Sequence, residues 1–221
     1  MFDFVTPYLP LFLEGFVLTV EITLFGIFAG LGIGTLAAIG DIYGGKFAST
    51  IIRIYVEFFR GSALFAQLFI AEYAVPALIH IRIDPYVTAF AVFALNSAAY
   101  QKGYIKGAME TVFLDQMQAG LSTGMSKVQT IRHVILPQSL RIVIPAWSNE
   151  FCSLTKSTST LAFVGLFDLV AAGRTVIGLT YIVLPTWALI AAVYFVWITG
   201  VTKILDIIYE KKKIPGIEIS I

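Results

Sequence analysis

Six polar side chains recur at helical spacing within a stretch of residues that is otherwise apolar, between positions 140 and 160. At 100° per residue they share an arc of roughly 120° on one helical face. Polar groups within a membrane span are unfavourable, and such a face indicates a path for a solute or contact with another helix. The six are Asn149, Glu150, Ser153, Lys156, Ser157 and Thr160.

Two of these side chains carry charges of opposite sign. A zwitterion needs an anion beside its ammonium group, and a cation or free N–H groups beside its carboxylate. Glu150 and Lys156 supply one charge of each sign. An equal alternative is that both neutralise other buried charges, or that Lys156 extends to the outer surface. Asn96, isolated in another apolar stretch, is the remaining candidate for the solute pathway.

The composition places these residues in a membrane protein. Of the 221 residues, 58% are hydrophobic and 13% are charged, whereas a soluble domain has about 25% charged residues. A membrane helix needs about 20 apolar residues. The sequence therefore predicts an all-α, polytopic membrane protein, residues 1–221 forming one transmembrane domain with five membrane-spanning helices. The predicted spans are at about residues 11–40, 51–75, 85–106, 140–160 and 185–207.

Several other classes of site find no support in the sequence. The net charge of +1 gives no reason to expect nucleic acid as a partner. One cysteine and two histidines offer neither an internal disulfide nor a metal site. Residues 40–46 have the spacing of a phosphate-binding loop, but Phe47 replaces the Ser or Thr that it needs. We therefore predict no catalytic residues, no metal and no cofactor in this chain.

The basic residues are distributed unequally between the two sides of the predicted spans. Of the 15 Lys and Arg residues, only Arg82 and Arg174 lie on one side and Lys156 lies within the membrane; the remaining twelve share the other side. Because cytoplasmic loops carry the excess of basic residues, we expect an N-terminus outside and a C-terminus in the cytoplasm. Glu57 and Arg60 are three positions apart, so on a helix they are expected to form an ion pair near the inner surface.

Small residues repeat along the first predicted span. Gly26, Gly30 and Gly34 recur every four residues, and Ala38 continues the row. Small residues at this spacing allow helices to approach closely in lipid. We interpret the row as a surface for helix packing.

A polar segment at residues 111–137 separates the third and fourth predicted spans. Apolar residues every four positions (Phe113, Met117, Leu121 and Met125) predict a short first helix. Asp115 with Gln118, and Ser126 with Gln129, have capping-box spacing. Gly124 stands where a left-handed residue would end the first helix, and Pro137 marks the end of the second helix or the start of another. We predict a cytoplasmic helical hairpin.

The same segment resembles the EAA loop of ABC-importer permeases. That pattern is EAA, three residues, G, nine residues, I, one residue and LP, and its full spacing is kept here. Gln118 replaces the Glu, and Gly120 replaces the last Ala. In the family this loop is the coupling helix that docks into a cleft of the ATPase subunit. The coupling residues implied by the resemblance are Gln118, Ala119, Gly120, Gly124, Leu136 and Pro137.

Further motifs resemble those of polar-amino-acid permeases of the histidine, glutamine and arginine type. They agree in order and spacing from about residue 16 to residue 203: residues 56–61 (VEFFRG), 67–68 (QL), 95–100 (LNSAAY), 136–141 (LPQSLR), 148–151 (SNEF) and 165–169 (GLFDL). One departure is at residues 156–160, where KSTST stands in place of KDTSL.

This resemblance implies the type I ABC importer fold and a multi-pass location in the cell membrane. It also implies a second permease subunit, two ABC ATPase subunits that bind ATP and Mg²⁺, an extracytoplasmic solute-binding protein and an amino-acid substrate. The alternatives are an ABC permease for another small solute such as an opine, and a proton-coupled secondary carrier with Glu150 as the relay. A membrane-embedded enzyme would need a catalytic constellation that the sequence does not offer.

Overall fold

The computed structural model describes residues 5–213, apart from the side chains of residues 113 and 114. Within this range the chain forms α-helices and no strand, which confirms the all-α prediction. The helices are α1 (Val5–Tyr43), α2 (Gly45–Gly61), α3 (Leu64–Phe69), α4 (Val75–Ile79), α5 (Pro85–Ser122), α6 (Lys127–Thr130), α7 (Leu136–Ile142), α8 (Ile144–Ser157), α9 (Leu169–Thr180) and α10 (Val183–Lys212). Two π-helical turns, Ile70–Ala74 and Ile131–Ile135, join α3 to α4 and α6 to α7. A 3₁₀ segment, Thr158–Val164, extends α8.

Among residues 5–213, α1 and α10 are each able to cross a membrane by length and composition, and two bent helix pairs raise the number of possible spans to four. The bent pairs are α2 with residues 64–79, and residues 144–164 with α9. The predicted span at residues 85–106 lies in α5, whose apolar run is interrupted by Asn96, Gln101 and Lys102. The prediction of five spans therefore stays a prediction.

Two predicted elements differ from the structure. The span at residues 51–75 is not one continuous helix, because the chain bends by 106° between α2 and the segment that follows. The first arm of the hairpin is not a separate short helix, because α5 runs without interruption from Pro85 to Ser122. Asp115 lies inside α5, so it caps no helix and the capping box predicted for it is wrong. Phe113, the first residue of the predicted stripe, has a side chain outside the described part of the chain.

The small-residue row of α1 packs against α5, as predicted. A Cβ added at Gly30 would lie 2.8 Å from Gln101 Nε2 and 2.9 Å from Ser97 Cβ. A Cβ added at Gly34 would lie 2.9 Å from the carbonyl oxygen of Ala98. The close approach lets Gln101 Nε2 donate to the carbonyl oxygen of Ile27 at 2.9 Å. The row is therefore a helix-packing surface.

A buried ion-pair cluster joins the end of α1 to α5. The carboxylate of Asp41 accepts from Lys102 Nζ at 2.7 Å and from Lys106 Nζ at 2.8 Å. Ser49, in α2, donates to the other carboxylate oxygen at 2.5 Å. Because one carboxylate has three donors on two further helices, the cluster fixes the corner between α1 and α2 against the middle of α5.

The segment between the 3₁₀ turn and α9 is tied to the other half of α1. Asp168 is buried and caps α9, accepting from the backbone N–H groups of Val170 and Ala171. The backbone N–H of Leu169 donates to Thr19 Oγ1 at 3.2 Å. Gly15 allows this approach, since a Cβ there would lie 2.5 Å from the carbonyl oxygen of Asp168.

Candidate solute cavity and coupling hairpin

A cavity of about 210 Å³ lies between α8, the middle of α5 and the bend that follows α2. Most of its lining surface is polar, in contrast to the apolar grooves on the outside of the helices. Four of the predicted pathway residues line it: Asn96, Glu150, Ser153 and Ser157. Sequence spacing placed three of these on one face of α8, and the fold adds Asn96 from α5.

Glu150 supplies the charge of this cavity. Its side chain is buried, with 4% of its surface exposed. No other lining residue carries a carboxylate. Ser97, on α5, lies beside the Glu150 side chain and accepts from Gln101 Nε2 at 2.9 Å. The packing of α1 on α5 therefore fixes the positions of Gln101 and Ser97, and Ser97 lies next to Glu150.

Asn96 helps to hold the bend between α2 and α3. Its Nδ2 donates to Gln67 Oε1 at 2.9 Å and to the carbonyl oxygen of Phe59 at 3.3 Å. Gln67 Nε2 donates to the carbonyl oxygens of Phe59 and Ser62 and to Ser62 Oγ. These bonds satisfy the backbone carbonyls that a bent helix leaves free. They also position Ser62 in the wall of the cavity.

Arg60 stands at the edge of the same cavity. Its guanidinium carbon lies 5.2 Å from the centre of the Tyr100 ring, and Tyr100 is a lining residue. Within residues 5–213, Glu57 is not within ion-pair distance of Arg60, so the predicted pair is wrong. Arg60 and Tyr100 are 40 positions apart in the sequence, and helical spacing gives no signal for such a contact. The one sequence signal for this contact is that Arg60 and Tyr100 each lie in a motif shared with the permease family, VEFFRG and LNSAAY.

The remaining predicted pathway residues do not line this cavity. Lys156 lines a separate groove between the end of α8, α9 and α10. Six positions along a helix at 100° per residue place its side chain about 120° from that of Glu150. Asn149 is exposed on the surface. Thr160 lies in the 3₁₀ segment and donates to the carbonyl oxygen of Ser157. The two charges that the sequence analysis assigned to the two ends of one zwitterion therefore line separate cavities.

The turn of the hairpin has the predicted geometry. Gly124 has φ of +82°, in the left-handed region. Its backbone N–H donates to the carbonyl oxygen of Leu121, and that of Met125 donates to the carbonyl oxygen of Gly120. This pair of bonds is a Schellman motif, which ends α5. The second arm begins with the predicted capping box, in which Ser126 and Gln129 bond reciprocally.

The candidate coupling residues divide into two groups by exposure. Gln118, Ala119 and Gly124 are exposed near the turn, and Pro137 is exposed at the start of α7. Leu136 is partly buried. Gly120 is buried, because it faces Thr130 in the second arm. The exposed members are available for contact with another protein, whereas Gly120 has an internal packing role.

The chain is similar to one known protein family and to several named transport proteins. The family described as "Binding-protein-dependent transport system inner membrane component" matches residues 30–212. The glutamine transport system permease protein GlnP of Escherichia coli K12 is 32% identical over 206 residues, covering 93% of this chain and 92% of that protein. The arginine transport system permease protein ArtQ of Bacillus subtilis is 27% identical over 212 residues, covering 96% and 97%. The L-cystine transport system permease protein TcyL of the same species is 33% identical over 202 residues, covering 87% and 82%.

Solved structures have the same fold. A crystal structure of an amino acid ABC transporter with histidines superposes with a TM-score of 0.85 at 27% identity, covering 96% of this chain and 99% of that chain. An inward-facing form of the MetNI methionine ABC transporter gives 0.75 at 16% identity, covering 93% and 97%, a likeness of fold alone.

Proposed function

This chain belongs to the family of binding-protein-dependent transport system inner membrane components, and from that premise we propose that it imports a polar or charged amino acid. In this proposal it is the permease subunit of an ATP-binding cassette importer. It is a transport component and not an enzyme. The amino-acid class is supported by relatives whose names specify glutamine, arginine and L-cystine.

The observation that carries the proposal is the buried Glu150 carboxylate in a polar cavity. A buried carboxylate needs a hydrogen-bonded or charged partner, and the ammonium group of an amino acid is such a partner. Arg60, stacked on Tyr100 at the cavity edge, is the nearest source of positive charge for the solute carboxylate. Asn96, Ser153 and Ser157 add neutral polar groups for the remainder of the solute.

The energy source and the partners follow from the family. We propose a second permease subunit, identical or homologous, two ATPase subunits that hold ATP and Mg²⁺, and an extracytoplasmic solute-binding protein. The hairpin at residues 111–137 contacts an ATPase subunit in the cytoplasm. The N-terminus lies outside and the C-terminus inside, in agreement with the distribution of basic residues.

The proposed mechanism is alternating access. ATP brings the two ATPase subunits together and moves the hairpins with them, and the helices reopen to the outside to receive solute. This requires the two conformations to differ in their contacts with the ATPase subunits. An opine or another small solute remains the alternative within this class, since Glu150 recognises an ammonium group and not a particular side chain.

The test is uptake of radiolabelled amino acids by proteoliposomes that contain the assembled transporter. We expect Glu150→Gln to lower kcat/KM for uptake by about 10-fold or more, because a hydrogen bond to a charged group contributes about 1.5–3 kcal/mol. Glu57→Gln, an exposed carboxylate on α2, is the matched control. Unchanged uptake by Glu150→Gln would refute the assigned role of the cavity. Uptake that survives an inactive ATPase subunit and collapses with an uncoupler would instead indicate a secondary carrier.

A further inference from the structure

A second groove, of about 320 Å³, lies between the end of α8, the start of α9 and the first half of α10. It shares no lining residue with the cavity of Glu150. Lys156 is the charged residue in its lining. The groove therefore has a net positive charge, and its role is separate from that of the solute cavity.

The polar side chains of this groove favour an anion. Lys156 is exposed and offers three N–H donors, and Trp187 offers an indole N–H. Within the described part of the chain, no carboxylate lies within ion-pair distance of Lys156. Ser159 Oγ donates to the carbonyl oxygen of Lys156 at 2.8 Å, which fixes the backbone beside the cation.

The rest of the lining is apolar. Val170 comes from α9, and Ile190 and Ala191 come from α10. One cation at the edge of an apolar groove on a membrane protein matches the chemistry of an amphiphile that has an anionic head and a hydrocarbon chain. A free amino acid or phosphate would leave the apolar walls unused.

The level of the groove in the membrane agrees with such a ligand. Trp187 lies one turn after the start of α10 at Val183, at the end of the helix that the proposed topology places at the outer membrane surface. Trp and Tyr are enriched at the membrane–water interface, where lipid headgroups lie. A Lys side chain near this level can reach the headgroups while its methylene groups stay in the apolar layer.

We propose that this groove binds an anionic phospholipid, with the headgroup against Lys156 and an acyl chain along Val170, Ile190 and Ala191. The inference goes beyond the transport function and does not depend on which solute is transported. It gives Lys156 a different role from the one that its spacing to Glu150 suggests.

The test measures lipid retained by the assembled transporter. The purified complex is titrated with phosphatidylglycerol or phosphatidylcholine, and bound lipid is counted by native mass spectrometry. For the wild type we expect tighter binding of phosphatidylglycerol. We expect Lys156→Gln to weaken phosphatidylglycerol binding about fivefold, the factor that corresponds to about 1 kcal/mol for one basic residue near an anionic lipid surface. Lys156→Arg should retain the binding.

Two substitutions on α10 separate the groove from general effects on the helix. Ala191→Phe fills the apolar part of the groove and should reduce phosphatidylglycerol binding while leaving the cation in place. Ala192→Phe adds the same bulk to a neighbouring groove that has no charged lining residue, and should leave binding unchanged. If Lys156→Gln fails to assemble, the comparison of Ala191→Phe with Ala192→Phe still tests whether this groove binds phosphatidylglycerol.

Three results would overturn the proposal. One is equal binding of the two lipids by the wild type. Another is phosphatidylglycerol binding that Lys156→Gln and Ala191→Phe both leave intact. The third is an assembled complex in which a second permease subunit covers the groove and lipid binding does not respond to Lys156.

Discussion

Thr130 packs so closely against Gly120 that a Cβ added at position 120 would lie 2.5 Å from both Cγ2 and Oγ1 of Thr130. Thr130 is held in this position because its Oγ1 donates to the carbonyl oxygen of Ser126 at 3.0 Å. The two arms of the hairpin therefore meet at a residue without a side chain. This contact explains why Gly120 stands where the EAA pattern has Ala.

We expect Gly120→Ala to destabilise the hairpin by about 1–3 kcal/mol, the usual range for overpacking. Thr130→Ala should restore much of that loss in the double variant, because it removes the two nearest atoms. Thermal unfolding of the four members of this double-mutant cycle measures the coupling. Gly107→Ala is the matched control on α5, since nothing lies within 4 Å of its added Cβ. Additive effects at positions 120 and 130 would contradict the packing argument.

Substitutions at Gly124 test the geometry of the turn without changing any packing contact. A Cβ there would meet nothing within 4 Å, but φ is +82°. We expect Gly124→Val to cost about 1–2 kcal/mol through backbone strain and to reduce solute uptake per ATP hydrolysed. Gly124→Asn, which tolerates the left-handed conformation, should behave much more like the wild type. Equal coupling ratios for the Val and Asn variants would show that turn geometry does not matter for coupling.

Gly30 links helix packing to the solute cavity. We expect Gly30→Ala to push α1 from α5, because the new Cβ would lie under 3 Å from Gln101 and Ser97. Because Ser97 lies next to Glu150, its displacement should disturb the cavity, so both stability and uptake should fall, the former by about 1–3 kcal/mol. Gly32→Ala, on the same helix with no neighbour within 4 Å, is the control for thermal unfolding and uptake. Lower stability with normal uptake would show that the packing of α1 on α5 at Gly30 does not affect the function of the cavity.

Asp41 is the shared partner of two lysines, and its loss leaves Lys102 with no carboxylate within ion-pair distance in the described part of the chain. Lys102 has only 11% of its side chain exposed. We expect Asp41→Asn to lower the free energy of unfolding by about 3 kcal/mol. Asp41→Asn with Lys102→Met should be more stable than Asp41→Asn alone, as denaturant titration would detect. Glu110→Gln breaks only an exposed contact of 3.8 Å to Lys106 and should change stability by less than about 0.5 kcal/mol. A double variant as unstable as Asp41→Asn would argue against a buried unpaired cation as the cause.

Local signals in the sequence were enough to predict several features. Ser126 and Gln129 form their capping box because both partners lie within one turn, and Gly124 takes the left-handed conformation that glycine adopts without steric strain. The row through Gly30 and Gly34 packs against another helix because no side chain stands in the way. Fold class and hairpin turn followed from such short-range rules.

Features that depend on distant residues could not be predicted in this way. The bend after α2 contains no proline, and its free carbonyl groups are satisfied by Gln67 and by Asn96 of another helix. The sequence also could not show which polar residues of α8 line the solute cavity and which line the second groove. An arc of about 120° is wide enough for Glu150 and Lys156 to face different neighbours, and only the positions of α9 and α10 decide which.

The uninterrupted course of α5 has a mechanical consequence. At 1.5 Å per residue its 38 residues form a rod of about 57 Å. This one continuous helix carries Asn96 and Tyr100 beside the cavity and Gln118 near the turn. A force applied to the hairpin by a partner protein would tilt the whole of α5. The hairpin and the residues beside the cavity would then have to move together.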